Sequence, residues 1–388
     1  MKQFNYYQPT EIIYGEGRIN ELGEVVKKYG NKCLLVTTPV FPAVEDQYAK
    51  VKQLLMDSGI EIAHFDQVQP NPTTEIITAG AEMAKSIGAE VVIGLGGGSS
   101  MDSAKAIAVE ATHEGSCWDY LFFKKEPTEA TLPIIAISTT SGTGSQVTQV
   151  AVVTNTAERD KSALYHPIIY PNVCIVDPEL MITVPQKVTA ATGFDALCHS
   201  FESTLNPGSN EYINTMGFRS IELVVETLPY LLKNLDDQEA RSKMAMADTY
   251  GGLCIANSGV TLPHGVGMAI SGMYPNVPHG ESLAIIYPQF SRFTYKSAIP
   301  EFARIGRILN DNLNSESDEV AAERACDEID KFLQEIGLWV RLKDYGMPEG
   351  EIDKLAKQSM VLPDYKANPK VASDEEMLNL IQNSYSLQ

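Results

Sequence analysis

Short apolar runs recur through the first 180 residues, and stretches of helical periodicity separate most of them. The strand-like runs are Ile12–Tyr14, Cys33–Thr37, Glu61–Phe65, Val91–Leu95, Ile134–Ser138, Gln149–Val153 and Val173–Val176. Helical patterns over 18–29, 43–58, 74–87 and 100–112 lie between the earlier ones. Alternation of this kind predicts βαβ units and a parallel sheet. Pro70, Pro72 and Thr73-Thr74 mark a turn and a helix start. Beyond Pro178 the texture changes. Helical periodicity dominates over 178–206, 209–234, 238–258, 262–272, 281–297, 299–310, 317–337 and 350–359, and Ser373–Glu376 (SDEE) reads as a capping box opening a last helix. The pattern predicts an α/β domain over 1–182 and an all-helical domain over 183–388, with no internal repeat.

A chain of 388 residues, 44% hydrophobic and 21% charged, can bury a large core, and its length favours two domains. Fifty acidic against 30 basic residues give a net charge of −20, which repels phosphate backbones and anionic lipid. Nucleic acid and membrane partners are therefore not expected. The N-terminus lacks a signal-peptide pattern, and no run of about 18 apolar residues occurs. The six cysteines (33, 117, 174, 198, 254, 326) form no CxxC pair and read as reduced, packed thiols. A cytoplasmic protein is expected.

Two segments point to a phosphate-bearing ligand. Val91–Leu95 runs through Gly96-Gly97-Gly98-Ser99-Ser100-Met101-Asp102 into a helix. Glycines let a backbone approach a phosphate, and a helix start offers unpaired N–H groups and a positive dipole end. The pattern is GxGxxS, and it serves equally as a tight strand-to-helix turn with Ser99 or Ser100 as N-cap. Ser138-Thr139-Thr140-Ser141-Gly142-Thr143-Gly144-Ser145 follows another strand and reads either as a second ligand loop or as a solvated turn. Two such loops at the carboxyl ends of strands in one sheet favour a dinucleotide.

Asp195 and His199 stand four apart on one face of an otherwise apolar helix. A buried carboxylate needs a partner: a divalent cation would serve, as would a plain Asp–His hydrogen bond. His264 and His279 both sit in Pro-His-Gly triplets, suited to helix starts or turns that aim a side chain into a cleft. One Asp with three His forms a set suited to Fe²⁺ or Zn²⁺. His64, His113 and His166 lack such context and read as structural or surface residues.

Taken in order, these residues resemble the iron-containing alcohol dehydrogenase family, whose fold is dehydroquinate-synthase-like. The likeness covers nearly the whole chain: Pro9–Gly17, GGGS at 96–99 with Met101-Asp102-Ser-Ala-Lys105, the 138–145 loop, Val176-Asp177-Pro178-Glu179-Leu180, the Asp195/His199 helix, both Pro-His-Gly segments and Asn368-Pro369-Lys370. The resemblance implies an N-terminal Rossmann-like domain, a C-terminal all-helical domain and an active site in the cleft between them. It carries the metal ligands onto Asp195, His199, His264 and His279. It carries pyrophosphate binding onto Gly96, Gly97, Gly98, Ser99 and Asp102, adenine and nicotinamide contacts onto Thr139, Thr140, Thr143 and Ser145, and lesser cofactor roles onto Lys161 and Leu180. It implies Fe²⁺ (Zn²⁺ as the alternative), NAD, a small alcohol or aldehyde substrate, and a homodimer or larger homo-oligomer.

Three departures stand out. Many members carry a further histidine where this chain has Met268, and one extra residue lies between the last two histidines. Thr38 occupies the place after the second strand where many NAD-preferring members carry an aspartate, so NADP stays open beside NAD. No side chain stands out as the general base, and the catalytic acid–base group is unassigned. The implied chemistry is hydride transfer between the nicotinamide and an alcohol or aldehyde, with the metal as Lewis acid. The pocket-wall candidates are 117–123 and Ile255, which read equally as ordinary loop and core packing. A lyase of the dehydroquinate-synthase type would need basic residues in the helical half, whereas 190–205 and 255–285 hold no Lys or Arg. A metal hydrolase, or a non-catalytic nucleotide-binding protein with a structural metal, leaves part of this constellation unexplained.

Overall fold

The structure is a computed structural model that describes residues 2–386, less the side chains of Phe122 and Phe123. By its contacts the chain forms two compact units. One holds Tyr7–Pro185 with Leu235–Ala245, and the other holds the N-terminal residues through Tyr6, Gln186–Asn234 and Met246–Gln388.

The first unit is a doubly wound parallel sheet. Its strands are β1 (Glu11–Tyr14), β2 (Lys32–Val36), β3 (Glu61–Phe65), β4 (Val91–Gly96), β5 (Ile134–Ser138) and β8 (Val173–Val176), in the order β1-β8-β5-β4-β2-β3. Every pairing in it is parallel. Side chains alternate across it with period two. Cys33, Leu35, Ile93 and Ile135 pack on one face with α1 (Leu22–Lys27) and α2 (Glu45–Asp57). Leu34, Val36, Val92 and Ile134 pack on the other with α3 (Thr74–Ile87) and α4 (Gly98–Glu110). Helices on both faces bury the whole of β4, which is why its sequence is a continuous apolar run. Thr73 caps α3, and Gly88 ends it at φ +63°.

One expected strand behaves differently. The run at 149–153 forms β6 (Val150–Asn155), which leaves the main sheet and pairs antiparallel with β7 (Asp160–Tyr165). Hydrophobic periodicity misses β7 because its run, Asp-Lys-Ser-Ala-Leu-Tyr, opens on three polar residues and shows no apolar alternation.

The second unit is built from α5 (Gln186–Leu205), α6 (Glu211–Leu231), α7 (Gln238–Ser258, whose first turns group with the sheet unit), α8 (Leu262–Met273), α9 (His279–Thr294), α10 (Ile299–Leu309), α11 (Asp318–Glu335), α12 (Ile352–Gln358) and α13 (Asp374–Tyr385). The helix expected from 178 begins instead at Gln186. Pro178–Met181 is a single 3-10 turn capped by Asp177, and Val184 precedes Pro185, a position that disfavours helical backbone. The capping box at Ser373 is present, with Ser373 and Glu376 bonding each other's backbone N–H.

The centre of this unit is apolar on all sides. From Thr189 onward α5 is almost wholly buried, and α8 is buried throughout. Phe194, Phe201, Tyr287, Phe290 and Phe302 form an aromatic cluster with ring centroids 5.1–6.3 Å apart. Such contacts add about 0.5–1.5 kcal/mol each beyond area burial, so they hold α5, α9 and α10 in fixed register. Among the described residues no single helix is long and apolar enough to cross a membrane; α7 and α8 pass that test only when joined across their bend.

Gly280 sets the approach of α9 to α5. A Cβ there would lie 2.0 Å from Ala191 O and 2.6 Å from Ala191 C. Gly280→Ala should therefore destabilise the protein by about 1–3 kcal/mol, as overpacking does, despite the better helix propensity of Ala. Denaturant unfolding checks this: a variant as stable as the wild type, or more so, would show that the two helices are not locked together.

Candidate metal centre and dinucleotide loops

The carboxyl ends of the parallel strands lie along one sheet edge, where Gly96 of β4 is in register with Ser138 of β5. Two loops leave from these residues and interlock. Thr139 N donates to Gly96 O at 3.0 Å. Gly96 has φ +148°, and a Cβ there would meet Ser100 Oγ at 2.4 Å. A Cβ on Gly97 would press on Thr140 Oγ1 at 3.1 Å, and one on Gly98 would strike Thr143 Cγ2 at 2.7 Å. The three glycines thus keep bare backbone against the hydroxyl loop. Gly97 is the N-cap of α4 and supplies no side-chain cap, so the helix starts two residues earlier than the expected 100 and neither Ser99 nor Ser100 is its N-cap. Uncapped N–H groups at a glycine turn match the donor pattern that binds a pyrophosphate.

A buried ion pair braces these loops. Lys105 Nζ, fully buried, donates to Ser145 O (2.7 Å), Ser145 Oγ (2.9 Å), Thr148 Oγ1 (3.3 Å) and Val150 O (2.7 Å), with Asp102 Oδ1 at 4.0 Å. Asp102 accepts from Ser145 Oγ at 2.6 Å and Val152 N at 3.0 Å. Burial pushes Lys105 down to about 8 against the pull of Asp102, and burial raises Asp102 against the pull of Lys105. Both oxygens of Asp102 are engaged inside the protein.

The other cofactor candidates have local partners. Thr38 Oγ1 shares a 2.8 Å hydrogen bond with Tyr48 Oη, and Thr37 Oγ1 joins Thr38 O to His64 Nε2. Lys161, on β7, donates to Asn71 Oδ1 at 2.9 Å. Leu180 is buried, and its carbonyl accepts from Gln47 Nε2. Of the remaining histidines, His113 bridges Val109 O and Thr128 N, and His166 accepts from Ile168 N. In the 117–123 run, Cys117, Tyr120 and Leu121 belong to the core rather than to a pocket wall, while the Phe122 and Phe123 side chains lie outside the described residues. Ile255, on α7, is half-buried.

In the helical unit Asp195, His199, His264 and His279 come together. Asp195 Oδ1 lies 3.7 Å from His199 Nε2, 3.5 Å from His264 Nε2 and 3.8 Å from His279 Nε2. The local structure explains the convergence. Asp195 and His199 are one turn apart on α5, His264 sits in the first turn of α8, and His279 opens α9. The prolines before both histidines occupy helix-start positions, where a missing N–H costs nothing. The rings of His199 and His264 stack at 4.6 Å, and His264 meets His279 edge-on at 5.4 Å.

These separations are long for hydrogen bonds. Asp195 Oδ1 and His264 Nε2 are buried and have no hydrogen-bond partner. Ligands held about 2.0–2.2 Å from one ion at tetrahedral angles stand about 3.3–3.6 Å apart, so the spacing suits a shared divalent cation. Burial alone would raise the Asp195 carboxyl, but the imidazoles, His199 first, hold it down at about 2. Burial opposes charge on His264, yet Glu202 and then Asp195 raise its imidazole to about 10. The cluster demands positive charge, which protons or a metal ion can supply at the same nitrogens.

Two further carboxyls at the site are not singled out by the sequence pattern. Glu202 shares a face of α5 with Asp195 and His199, and its Oε1 lies 2.7 Å from His264 Nδ1. Its one signal is a lone acid seven residues after Asp195 in an apolar stretch. Asp364 packs by Gly265, and burial raises its carboxyl against the pull of His264; no sequence spacing announces it. Met268 is buried in α8, one turn beyond His264.

Comparison with known proteins agrees with this architecture. The model for "iron-containing alcohol dehydrogenase" matches residues 9–178, and the model for the C-terminal part of the Fe-containing alcohol dehydrogenase family matches 189–385. An NAD-dependent methanol dehydrogenase of Bacillus methanolicus is 31% identical over 380 residues, 98% of this chain and 99% of that protein. A choline dehydrogenase of Bacillus subtilis is 34% identical, covering 95% and 92%. Among solved structures, an archaeal halo-thermophilic alcohol dehydrogenase from a Red Sea brine pool, bound to NZQ, superposes with a TM-score of 0.93 at 34% identity over 99% of this chain and 100% of that one. A 1,3-propanediol oxidoreductase superposes at 0.92 with 30% identity, covering 99% and 100%. With both halves matched and relatives aligned from end to end, the chain belongs to the iron-containing alcohol dehydrogenase family and is a metal-dependent alcohol oxidoreductase.

Proposed function

We propose that this chain interconverts a small, neutral primary alcohol and its aldehyde using NAD, with NADP as a second acceptor, and an iron(II) ion held by Asp195, His199, His264 and His279. The observation that carries the reading is the buried Asp195 Oδ1, within 3.8 Å of three imidazole nitrogens. Bound there, the ion supplies a Lewis acid for the substrate oxygen, while the nicotinamide supplies or accepts the hydride.

The chain's own residues do the rest. Gly96, Gly97, Gly98 and Ser99 present backbone to the pyrophosphate. Thr139, Thr140, Thr143 and Ser145 offer hydroxyls beside it, Lys161 and Leu180 have lesser cofactor roles, and Thr38 stands near the adenosine ribose. Asp102 serves the cofactor through Ser145, since its oxygens are committed to Ser145 Oγ and Val152 N. One Asp with three His leaves iron first and zinc second. The absence of Lys and Arg from 190–205 and 255–285 favours a neutral alcohol or aldehyde over an anionic acid. The names of relatives bear on the alcohol class: methanol and 1,3-propanediol are small neutral primary alcohols, choline is a cationic one, and the methanol enzyme is NAD-dependent. A homodimer or larger assembly completes the proposal.

The direct test mixes protein loaded anaerobically with Fe²⁺, NADH or NADPH, and a panel of short aldehydes, and follows loss of the reduced-cofactor absorbance. Metal-dependent turnover, abolished by a chelator and restored by Fe²⁺, is expected. Full turnover after exhaustive chelation contradicts the reading.

Cofactor choice gives a second test. An acidic residue at position 38 would accept from a ribose 2′-hydroxyl and repel a 2′-phosphate. Thr38→Asp should shift the NADPH-to-NADH ratio of kcat/KM down by about tenfold or more, the equivalent of about 1.4 kcal/mol. An unchanged ratio would place the ribose elsewhere.

A further inference from the structure

We infer that Glu202 is a positioning residue for the metal centre: it fixes the tautomer and direction of His264 while capping the helix that carries it. The inference rests on the ligand set proposed above. Glu202 is 0% exposed, and neither 190–205 nor 255–285 holds a lysine or arginine. Its charge is met by donors alone. Oε1 faces His264 Nδ1 at 2.7 Å, and Oε2 accepts from Thr261 N at 2.9 Å, Thr261 Oγ1 at 3.3 Å and His264 N at 3.4 Å.

Two consequences follow from the donor chemistry. A carboxylate can only accept, so Nδ1 of His264 must carry the proton, which leaves Nε2 with its lone pair on the side of Asp195 Oδ1. That nitrogen is the one with no hydrogen-bond partner. The second consequence concerns α8. Thr261 is its N-cap but makes no side-chain cap bond. Glu202 fills that role from α5, accepting from the N–H groups of Thr261 and His264 and placing a negative charge at the positive end of the helix dipole. One side chain therefore ties α5, which carries Asp195 and His199, to the first turn of α8, which carries His264. The aromatic cluster backs the same contact, with Tyr287 Oη 3.5 Å from Glu202 Oε1. Charge agrees as well: Asp195 and Glu202 together balance one divalent ion in a buried site.

The test measures metal affinity rather than turnover. Co²⁺ binding to metal-free protein is titrated against a chelating dye for the wild type, Glu202→Gln, Glu202→Ala and Thr261→Val, with the visible cobalt bands recorded for each. Glu202→Gln keeps the size of the side chain but loses its charge and turns one acceptor oxygen into an N–H donor, and it should weaken Co²⁺ binding about 10–100-fold and alter the cobalt bands. Glu202→Ala should weaken it at least as much. Thr261→Val removes one hydroxyl that donates to Glu202 and should leave the dissociation constant within about threefold. A Glu202→Gln protein with wild-type affinity and an unchanged cobalt spectrum overturns the inference, including the case in which only its melting temperature falls, since that is a cap and nothing more. Should the variants fail to fold, the Co²⁺-loaded wild type decides by magnetic resonance. It should show a hyperfine-shifted imidazole N–H proton slow to exchange with solvent, and its absence refutes the role. A wild type that binds no Co²⁺ refutes the metal reading itself.

Discussion

A buried carboxylate needs compensating charge, and Asp195 is surrounded by imidazole nitrogens that can supply it only by taking protons or by sharing a cation. Its Oδ1 lies within 3.8 Å of three of them. An isolated carboxylate transferred out of water is far too costly to survive without such compensation. The helical unit is organised around this requirement. Three separate helices bring one carboxylate oxygen and three imidazole nitrogens to one point, and each is held by contacts that leave it little freedom: α8 is buried from end to end, α9 meets α5 through a glycine, and α5 is backed by the aromatic cluster. Rigid helices suit a site whose ligands must stay within a few tenths of an ångström of their working positions.

The sheet unit solves a different problem with different means. One of its loops carries glycines that leave backbone bare, and the other packs hydroxyls against them. A Cβ at Gly98 would clash with Thr143, and one at Gly97 would crowd Thr140. Polar groups this deep need an anchor, and the Lys105 ammonium supplies it by gathering two carbonyls and two hydroxyls at once. Lys105 and Asp102 thus serve the loops from beneath.

Much of this architecture is legible in the chain itself. Short apolar runs locate the strands of the main sheet, and the change of period after Pro178 marks the onset of the helical texture. Asp195 and His199 are readable because four residues make about one helical turn, and the Pro-His-Gly triplets because proline marks helix starts. The features that escape such reading share a cause: they depend on partners distant in sequence. The β7 run is a strand only because β6 pairs with it. Glu202 reads as an ordinary helix acid until Thr261 and His264, 59 and 62 positions on, close around it. Lys105 stands in the sequence only within the Met101–Lys105 run, and its role as an anchor emerges once the loop at 145–150 folds over it. Local propensity cannot announce a side chain whose neighbours are set by tertiary packing.

The most direct measurement of the central claim is the metal content of the protein after reconstitution with Fe²⁺ and removal of free ion, beside that of Asp195→Asn. The substitution keeps the shape of the side chain and removes only the charge that calls for a cation. The account predicts close to one equivalent per chain in the wild type, and little in the variant, with the far-ultraviolet spectrum unchanged. A full equivalent held by Asp195→Asn at wild-type affinity would contradict it, because the ion would then owe its place to something other than the buried carboxylate.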